Sequence, residues 1–299
     1  MGAAELRVVG RPLTERAPAK VNLSLHIVGR RADGYHELQS LVAFAGTGDL
    51  LSLSPGPALT LMTDGPTAGV AGPDADNLVL RAAGHLATLL PGLKGGAFRL
   101  TKRLPVAAGL GGGSSDAAAA LRLLARLNGL SLEDERVRES ARRTGADVPV
   151  CVGARARIMS GIGHDLSAPV ALPPLYVVLV NPGVALETKR VFAEIGLTPG
   201  DNVGFGPPVD IEASVSRADL LARLRRARND MEDAAVVLAP VVGHVLAVLA
   251  AAPGCRLARM SGSGATCFAL FETCHAAARA ARVIRRDHPG WWVKPTVLR

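Results

Sequence analysis

The chain has 299 residues, room for two domains of ordinary size, and its 48% hydrophobic content excludes global disorder. Only 3% of the residues are aromatic, so a Tyr or Phe in a polar loop stands out against the background. The net charge of +8 admits nucleic acid or a small anionic substrate as partner. The arginine runs at 223–228 and 282–286 alternate with Ala, Leu and Val and lack aromatics to stack bases, which makes them solvated helix faces.

Residues 1–16 carry Glu5, Arg7, Arg11, Glu15 and Arg16 without an apolar run, so no secretory leader is expected there and the segment reads as a loose extension. From 19 to 27 apolar and polar residues alternate strictly. This predicts one half-buried strand with Lys20, Asn22, Ser24 and His26 on a polar, site-lining face. Asp33-Gly34 marks the turn after it, and 37–44 and 49–53 read as further strands. A helix over 77–90 is stopped by Pro91-Gly92, and a strand follows over 97–102. After the loop 105–113, helices are predicted over 114–127 and 132–143, then strands over 156–160 and 175–180. Pro169, Pro173 and Pro174 form the nearest thing to a domain seam.

Beyond the seam the pattern gives helices over 218–228 and 231–251, a strand pair at 256–260 and 267–271, and a last helix over 273–287. The longest apolar stretch, 234–252, is Ala-rich and broken by Pro240, so it reads as a buried helix rather than a membrane span. Cys151, Cys255, Cys267 and Cys274 show no metal or redox spacing and are expected as reduced, buried thiols of a cytoplasmic protein. Helices and strands mix without regular alternation, so the class is α+β.

The segment Leu104-Pro-Val-Ala-Ala-Gly-Leu-Gly-Gly-Gly-Ser-Ser-Asp116 follows a strand and opens a helix. Glycines allow backbone N–H groups to converge, and a helix start adds unpaired N–H groups with a positive dipole end. Such a loop cradles a di- or triphosphate. Ser114 or Ser115 could simply cap the helix, but four glycines in the five positions 109–113 exceed what a cap needs. The Walker A, dinucleotide-fold and protein-kinase loops do not fit. No Lys follows Gly113, the sixth position from Gly109 is Ser114, and H-R-D and D-F-G are absent.

Pro105–Ser115, read as P-x-x-x-G-L-G-G-G-S-S, resembles the phosphate loop of the GHMP kinase superfamily, which includes galacto-, homoserine, mevalonate and phosphomevalonate kinases. Pro18-Ala-Lys-Val-Asn-Leu, Arg31-Ala-Asp-Gly-Tyr-His-Glu-Leu and Gly145-Ala-Asp-Val-Pro resemble one branch more closely. That branch phosphorylates a cytidine diphosphate-linked methylerythritol in the non-mevalonate route to isoprenoids. Met260-Ser-Gly-Ser-Gly-Ala is similar to the superfamily's second glycine-rich motif, and the matches run in order from Pro18 to about Phe271.

The resemblance implies a two-domain fold, an S5-like α/β N-terminal domain over 1–167 that binds ATP and a ferredoxin-like α+β domain over 168–299. It implies Asp147 as the base and Lys20 as the cation beside it. ATP would lie against Pro105, Val106, Ala107, Ala108, Gly109, Leu110, Gly111, Gly112, Gly113, Ser114 and Ser115, with Asn77 and Lys102 near the adenosine. Tyr35 and Phe192 would close on the cytosine, His36 would read its edge, and Asn22 and Thr188 would face the substrate. On residues alone, Lys20 reads as a surface strand lysine and Asp147 as a cap of the next element, while Tyr35 reads as core, His36 as solvated and Phe192 as interdomain. Asp116, where many relatives carry Asn, fits a Mg²⁺ ion beside the triphosphate or else an acid in the first helical turn. Val106-Ala107-Ala108 and His164 depart from the family's pattern, and His164 has no physical account at this level.

The implied activity is transfer of the γ-phosphoryl of ATP to the 2-hydroxyl of the cytidine-linked substrate by a monomer or weak homodimer, without nucleic acid or membrane. Two alternatives stand beside it. One is a GHMP kinase for another alcohol such as homoserine or a mevalonate derivative. The other is a basic RNA-binding module, since S5-like folds share the N-terminal architecture.

Overall fold

The structure, a computed structural model, describes residues 11–70, 73, 76–204 and 215–299. The chain divides into two compact units. The first holds residues up to Ala17, Asp49–Arg103 and Gly113–Val152, and the second holds Pro18–Gly48, Leu104–Gly112 and Gly153–Arg299.

The chain opens with strands β1 (Leu13–Asn22), β2 (His26–Arg30), β3 (His36–Gly56) and β4 (Thr60–Asp64). The strand expected over 19–27 is two strands: Leu23 N still donates to Leu41 O of β3, but Leu25 N donates to Arg228 O instead. The two strands expected at 37–44 and 49–53 are one continuous β3. Residues 13–16 are strand rather than loose extension, held in the first unit by Arg122 and Arg126, which pair with Glu15 at 3.3 and 3.1 Å.

In the first unit, β5 (Gly95–Thr101) pairs antiparallel with β3 from Leu50↔Thr101 to Gly56↔Gly95, and parallel with β4. Helix α1 (Leu78–Leu89) buries Val79, Ala82, Ala83 and Leu86, the spacing of one helical face. Helix α2 (Gly112–Asn128) buries Ala117–Ala120 on every side, so it runs through the core rather than over it. Helix α3 (Glu135–Thr144) starts three residues later than expected because Asp134 is its cap, accepting from Arg136 N at 2.9 Å. The short α4 (Val148–Gly153) had no periodic signal to announce it.

In the second unit, β2 and β6 (Arg157–Gly161) flank the start of β3, and β7 (Asp165–Leu166) pairs with β6. The remainder is β8 (Leu175–Asn181), α5 (Thr188–Ile195), α6 (Arg217–Arg226), α7 (Glu232–Leu238), α8 (Val241–Ala251), β9 (Cys255–Met260), β10 (Cys267–Phe271), α9 (Cys274–Asp287) and β11 (Trp292–Leu298). Strands β11, β8, β10 and β9 lie side by side in that order, all antiparallel. With α8 and α9 as the crossovers this is the β-α-β-β-α-β ferredoxin-like arrangement. From Val177 to Val180 β8 is wholly apolar because both its faces are covered. Val178 and Val180 pack with α8 and α9 residues such as Leu249 and Ile284, and Val177 and Leu179 with Leu220 and Leu224 of α6.

The helix expected over 231–251 is broken into α7 and α8 at Ala239-Pro240, since proline lacks the N–H and its ring obstructs the preceding turn. Among the described residues no helix is long and apolar enough to cross a membrane. Cys151 and Cys267 are buried as expected and Cys255 is half-buried, but Cys274 is exposed because it is the first residue of α9, where the helix meets solvent.

Candidate active site

The glycine-rich loop is shaped by a second one. Ala107, Gly109 and Gly111 all have positive φ, at 50°, 71° and 59°. A β-carbon on Gly109 would stand 2.2 Å from Ser261 O, so the backbones of 109 and 261–264 touch with nothing between them. Ser261 Oγ donates to Gly109 O at 2.9 Å and accepts from Asn22 N at 3.1 Å. Thr266 N donates to Ala108 O. Asn229 fixes the second loop from below. Its Nδ2 donates to Met260 O and Gly262 O at 2.9 and 2.8 Å, and its Oδ1 accepts from Met231 N.

Lys20 is only 4% exposed, where a solvated strand lysine would be open. Its N–H donates to Leu110 O at 2.8 Å, and its aliphatic stem crosses Gly111, where an added β-carbon would lie 3.1 Å from Lys20 Cε. Asn22, on the same face, donates from Nδ2 to Ser40 Oγ at 2.7 Å and keeps a buried Oδ1 without a hydrogen-bond partner. Ser24 and His26 are also buried, so the polar face of the strand expected to be half-buried is covered as well.

In the first unit, Gly113, Ser114 and Ser115 form the opening turn of α2, with Ser115 Oγ 3.5 Å from Cys151 Sγ. Asn77 caps α1, its Oδ1 accepting from Val79 N at 3.0 Å. Asp147 is half-buried immediately before α4. Lys102 is buried between two carboxylates, donating to Asp49 Oδ2 at 2.5 Å and Asp116 Oδ2 at 2.8 Å. Burial pushes the Asp116 carboxyl up to about 7 against the opposing pull of Lys102, while the two carboxylates raise Lys102 despite its own burial. α2 begins at Gly112, so Asp116 lies past the first turn. Asp49 is the member of this triad that the sequence did not single out. Its signal is a lone acid in the middle of a long strand.

A metal ion would find little protein to hold it, since no group of three or more His, Cys, Asp or Glu side chains comes together among the described residues. Asp116 Oδ1 is a buried acceptor with no hydrogen-bond partner. That suits Mg²⁺, which takes one or two carboxylates and completes its shell with phosphate oxygens and water.

An open cavity of about 830 Å³ in the second unit is lined by Arg30, Tyr35, His36, Thr188, Lys189 and Phe192, among others. Tyr35 is 61% exposed at its mouth. His36 and Phe192 stack on each other with centroids 4.2 Å apart and planes 12° from parallel. Thr188 Oγ1 and Ser263 Oγ are 2.8 Å apart, which ties α5 to the second glycine-rich loop. His164 pairs with Asp165 at 3.4 Å in the β6–β7 hairpin.

A ferredoxin-like half, paired glycine-rich loops and a buried lysine laid against one of them define a GHMP-type small-molecule kinase. Profiles of the GHMP kinase N-terminal and C-terminal domains match residues 77–155 and 211–290. A 4-diphosphocytidyl-2-C-methyl-D-erythritol kinase of Methylobacterium radiotolerans is 60% identical over 288 residues, 96% of this chain and 99% of the relative. The crystal structure of a 4-(cytidine 5'-diphospho)-2C-methyl-D-erythritol kinase has a TM-score of 0.75 at 34% identity, over 96% of this chain and 99% of that one. A homoserine kinase from Cytophaga hutchinsonii shares the fold, with a TM-score of 0.66 at 19% identity over 99% of this chain and 96% of that one. The chain belongs to the 4-diphosphocytidyl-2-C-methyl-D-erythritol kinase family of the GHMP kinases.

Proposed function

We propose that the protein transfers the γ-phosphoryl group of ATP to the 2-hydroxyl of 4-diphosphocytidyl-2-C-methyl-D-erythritol in the non-mevalonate pathway. The observation that carries the choice of substrate is the cavity walled by Tyr35, His36 and Phe192, since homoserine and mevalonate have no ring to lay against it. Asn22 and Thr188 face the same substrate. The polyphosphate lies along 105–115, a reading supported by the positive φ values at 107, 109 and 111, a backbone shape in which N–H groups can converge on an anion. Asn77 and Lys102 belong to the nucleotide side, Lys102 through the buried triad rather than by direct contact.

Asp147 accepts the proton of the attacking hydroxyl as its oxygen bonds to the γ-phosphorus. The bond to the bridging oxygen of ADP breaks in line with that attack. Lys20 neutralises charge on the transferring group, and the Gly111 gap sets where its ammonium arrives. Mg²⁺, with Asp116 Oδ1 as its protein ligand, would offset charge on the phosphate oxygens. The nucleotide-binding and catalytic part corresponds to 1–167 and the C-terminal domain to 168–299. The enzyme works as a monomer or weak homodimer in the cytoplasm, where ATP and cytidine nucleotides are dissolved.

Purified protein given ATP, Mg²⁺ and the cytidine-linked alcohol should release ADP and yield a product with a new phosphomonoester resonance in the phosphorus NMR spectrum. Turnover with homoserine or mevalonate and none with the cytidine compound would move the substrate assignment to another GHMP kinase. Salt-sensitive RNA binding without ADP release would remove the kinase reading.

A further inference from the structure

A cavity of about 350 Å³ opens in the second unit where β8 begins, at Leu175, and β10 ends, at Phe271. The glycine-rich turn at 261–264 leads into the other end of β10, so the length of that strand, about 13 Å, separates turn and cavity. Arg217 and Arg225 of α6 and Arg256 of β9 line the cavity. The sequence places the run 223–228 on a solvated helix face. Arg225 is exposed but not loose, because its Nε and Nη2 both donate to Arg256 O, at 3.3 and 3.2 Å. That carbonyl sits at a bulge. Leu270 pairs with Leu257 and Phe271 with Cys255, which leaves Arg256 without a partner on β10. Bulges of this kind re-aim a side chain and are common beside functional sites.

Arg217 is held by a ring and a carbonyl. Its Cζ lies 5.0 Å from the centroid of the Tyr176 ring, and its Nη1 donates to Glu272 O at 3.2 Å. Its Nε is buried with no hydrogen-bond partner, so the guanidinium keeps donor capacity that the protein does not use. Glu272 is the one carboxylate in the lining, and it pairs with Arg256. Three positive charges against one negative leave an excess of two. The rest of the lining is apolar and includes Leu221, Leu270 and Phe271.

We propose that this cavity is a second ligand site and takes a small organic phosphate, its phosphate group held by Arg217 and Arg256 and its carbon body against Leu221, Leu270 and Phe271. A phosphomonoester carries close to two negative charges above its second pKa of about 6, which matches the excess, whereas a carboxylate carries one. Guanidinium groups donate to phosphate oxygens in pairs, a geometry that an ammonium cannot reproduce. Each of the three arginines is already oriented by a carbonyl or by Glu272, so little side-chain freedom is left to lose when an anion arrives. The volume lies at the small end of the range for ligand pockets, and the apolar lining favours a phosphate with a short carbon chain over the bare ion. The site stands apart from the proposed kinase reaction and does not depend on it.

The test titrates the full chain, its leucine methyl groups labelled for NMR, with n-butyl phosphate, inorganic phosphate and butyrate at about pH 7.5, where the phosphomonoester is a dianion. n-Butyl phosphate should move the methyl resonances of Leu221 and Leu270. It should bind about tenfold more tightly than inorganic phosphate, the effect of burying two methylene groups. Butyrate should bind at least about tenfold more weakly than n-butyl phosphate. Arg217→Gln and Arg256→Gln should each weaken n-butyl phosphate by about tenfold or more. Arg226→Gln, which changes an exposed arginine of α6 outside the lining, should leave its affinity unchanged. Melting curves identify a variant that fails to fold, and the other arginine variant then decides. Resonances of Leu221 and Leu270 that stay in place up to about 10 mM n-butyl phosphate, or wild-type affinity in the folded Arg217 and Arg256 variants, would overturn the site. An equal loss in Arg226→Gln would reduce the binding to the general charge of α6. Equal affinity for butyrate would overturn the phosphate assignment, and equal affinity for inorganic phosphate would overturn the part given to the apolar lining.

Discussion

The stem of Lys20 lies across Gly111, close enough that a β-carbon there would stand 3.1 Å from Lys20 Cε and 3.3 Å from Lys20 Cβ. The lysine is anchored at the same place by its N–H bond to Leu110 O. Strand and loop therefore fix the path of the side chain together, and the gap left by glycine is part of the lysine's address.

Gly111→Ala takes an alanine to a φ of 59°, at a cost of about 1 kcal/mol, but should keep the fold, because the atoms it meets belong to a side chain that can shift. Displacing Lys20 should raise KM for ATP and lower kcat together. Gly109→Ala is different in kind, since it adds to a similar φ of 71° a clash with the backbone at Ser261 O, which cannot move aside. It should cost at least about 2 kcal/mol in urea unfolding. Equal unfolding midpoints for the two variants would contradict the packing of the loops.

Asp147→Asn should keep nucleotide affinity and lose about 10²–10⁴-fold in kcat, the usual weight of a general base. Lys20→Met should lose about 10²–10³-fold. A near-normal rate in either, measured by ADP release with both substrates saturating, removes that residue from the chemistry.

Lys102→Met would leave Asp49 and Asp116 buried without the cation between them. Breaking a buried ion pair in this way costs about 3–5 kcal/mol. Adding Asp116→Asn to Lys102→Met should recover part of that loss. Unfolding free energies of the two variants check the order.

His26 is 2% exposed and neither ring nitrogen has a hydrogen-bond partner. Burial lowers its pKa from 6.5, Asp230 opposes, and Arg228 and Arg259 add to the lowering. The folded protein thus binds fewer protons here than the unfolded chain. The contribution to stability is fully present above the unfolded pKa and is lost as pH falls through the folded one. Wild-type unfolding free energy should drop on acidification below pH 6.5, and His26→Leu should flatten that segment of the curve. Parallel curves would show that another group carries the acid sensitivity.

Elements with strong periodicity or clear punctuation were legible in the sequence, among them α1 between Asn77 and Pro91-Gly92, the strand pair β9 and β10, and the buried run of β8. Both glycine-rich loops stood out by composition, but their mutual contact did not, because it joins residues about 150 apart through backbone atoms. The burial of Lys20 was illegible for the same reason: its stem runs beside Gly111, about 90 residues away in the chain. The triad shows the reverse failure. Lys102 and Asp116 were noticed, yet Asp49, inside an otherwise apolar stretch, becomes meaningful only once β3 and β5 are paired at Leu50↔Thr101. Strand β11 was hidden by Pro295, a residue that usually argues against a strand inside a sheet.

Asn229 spends its side-chain amide on Met260 O, Gly262 O and Met231 N, which leaves the turn between them little to gain from any visitor. A phosphate held by the proposed loop 105–115, whose Gly109 packs on this turn, would meet a surface already in its final shape. The entropy of ordering that turn is charged to folding rather than to association. Mutations at Asn229 should therefore register in nucleotide binding as a loss of entropy-favoured affinity, even though the residue lies beneath the loop and touches it only through carbonyl oxygens.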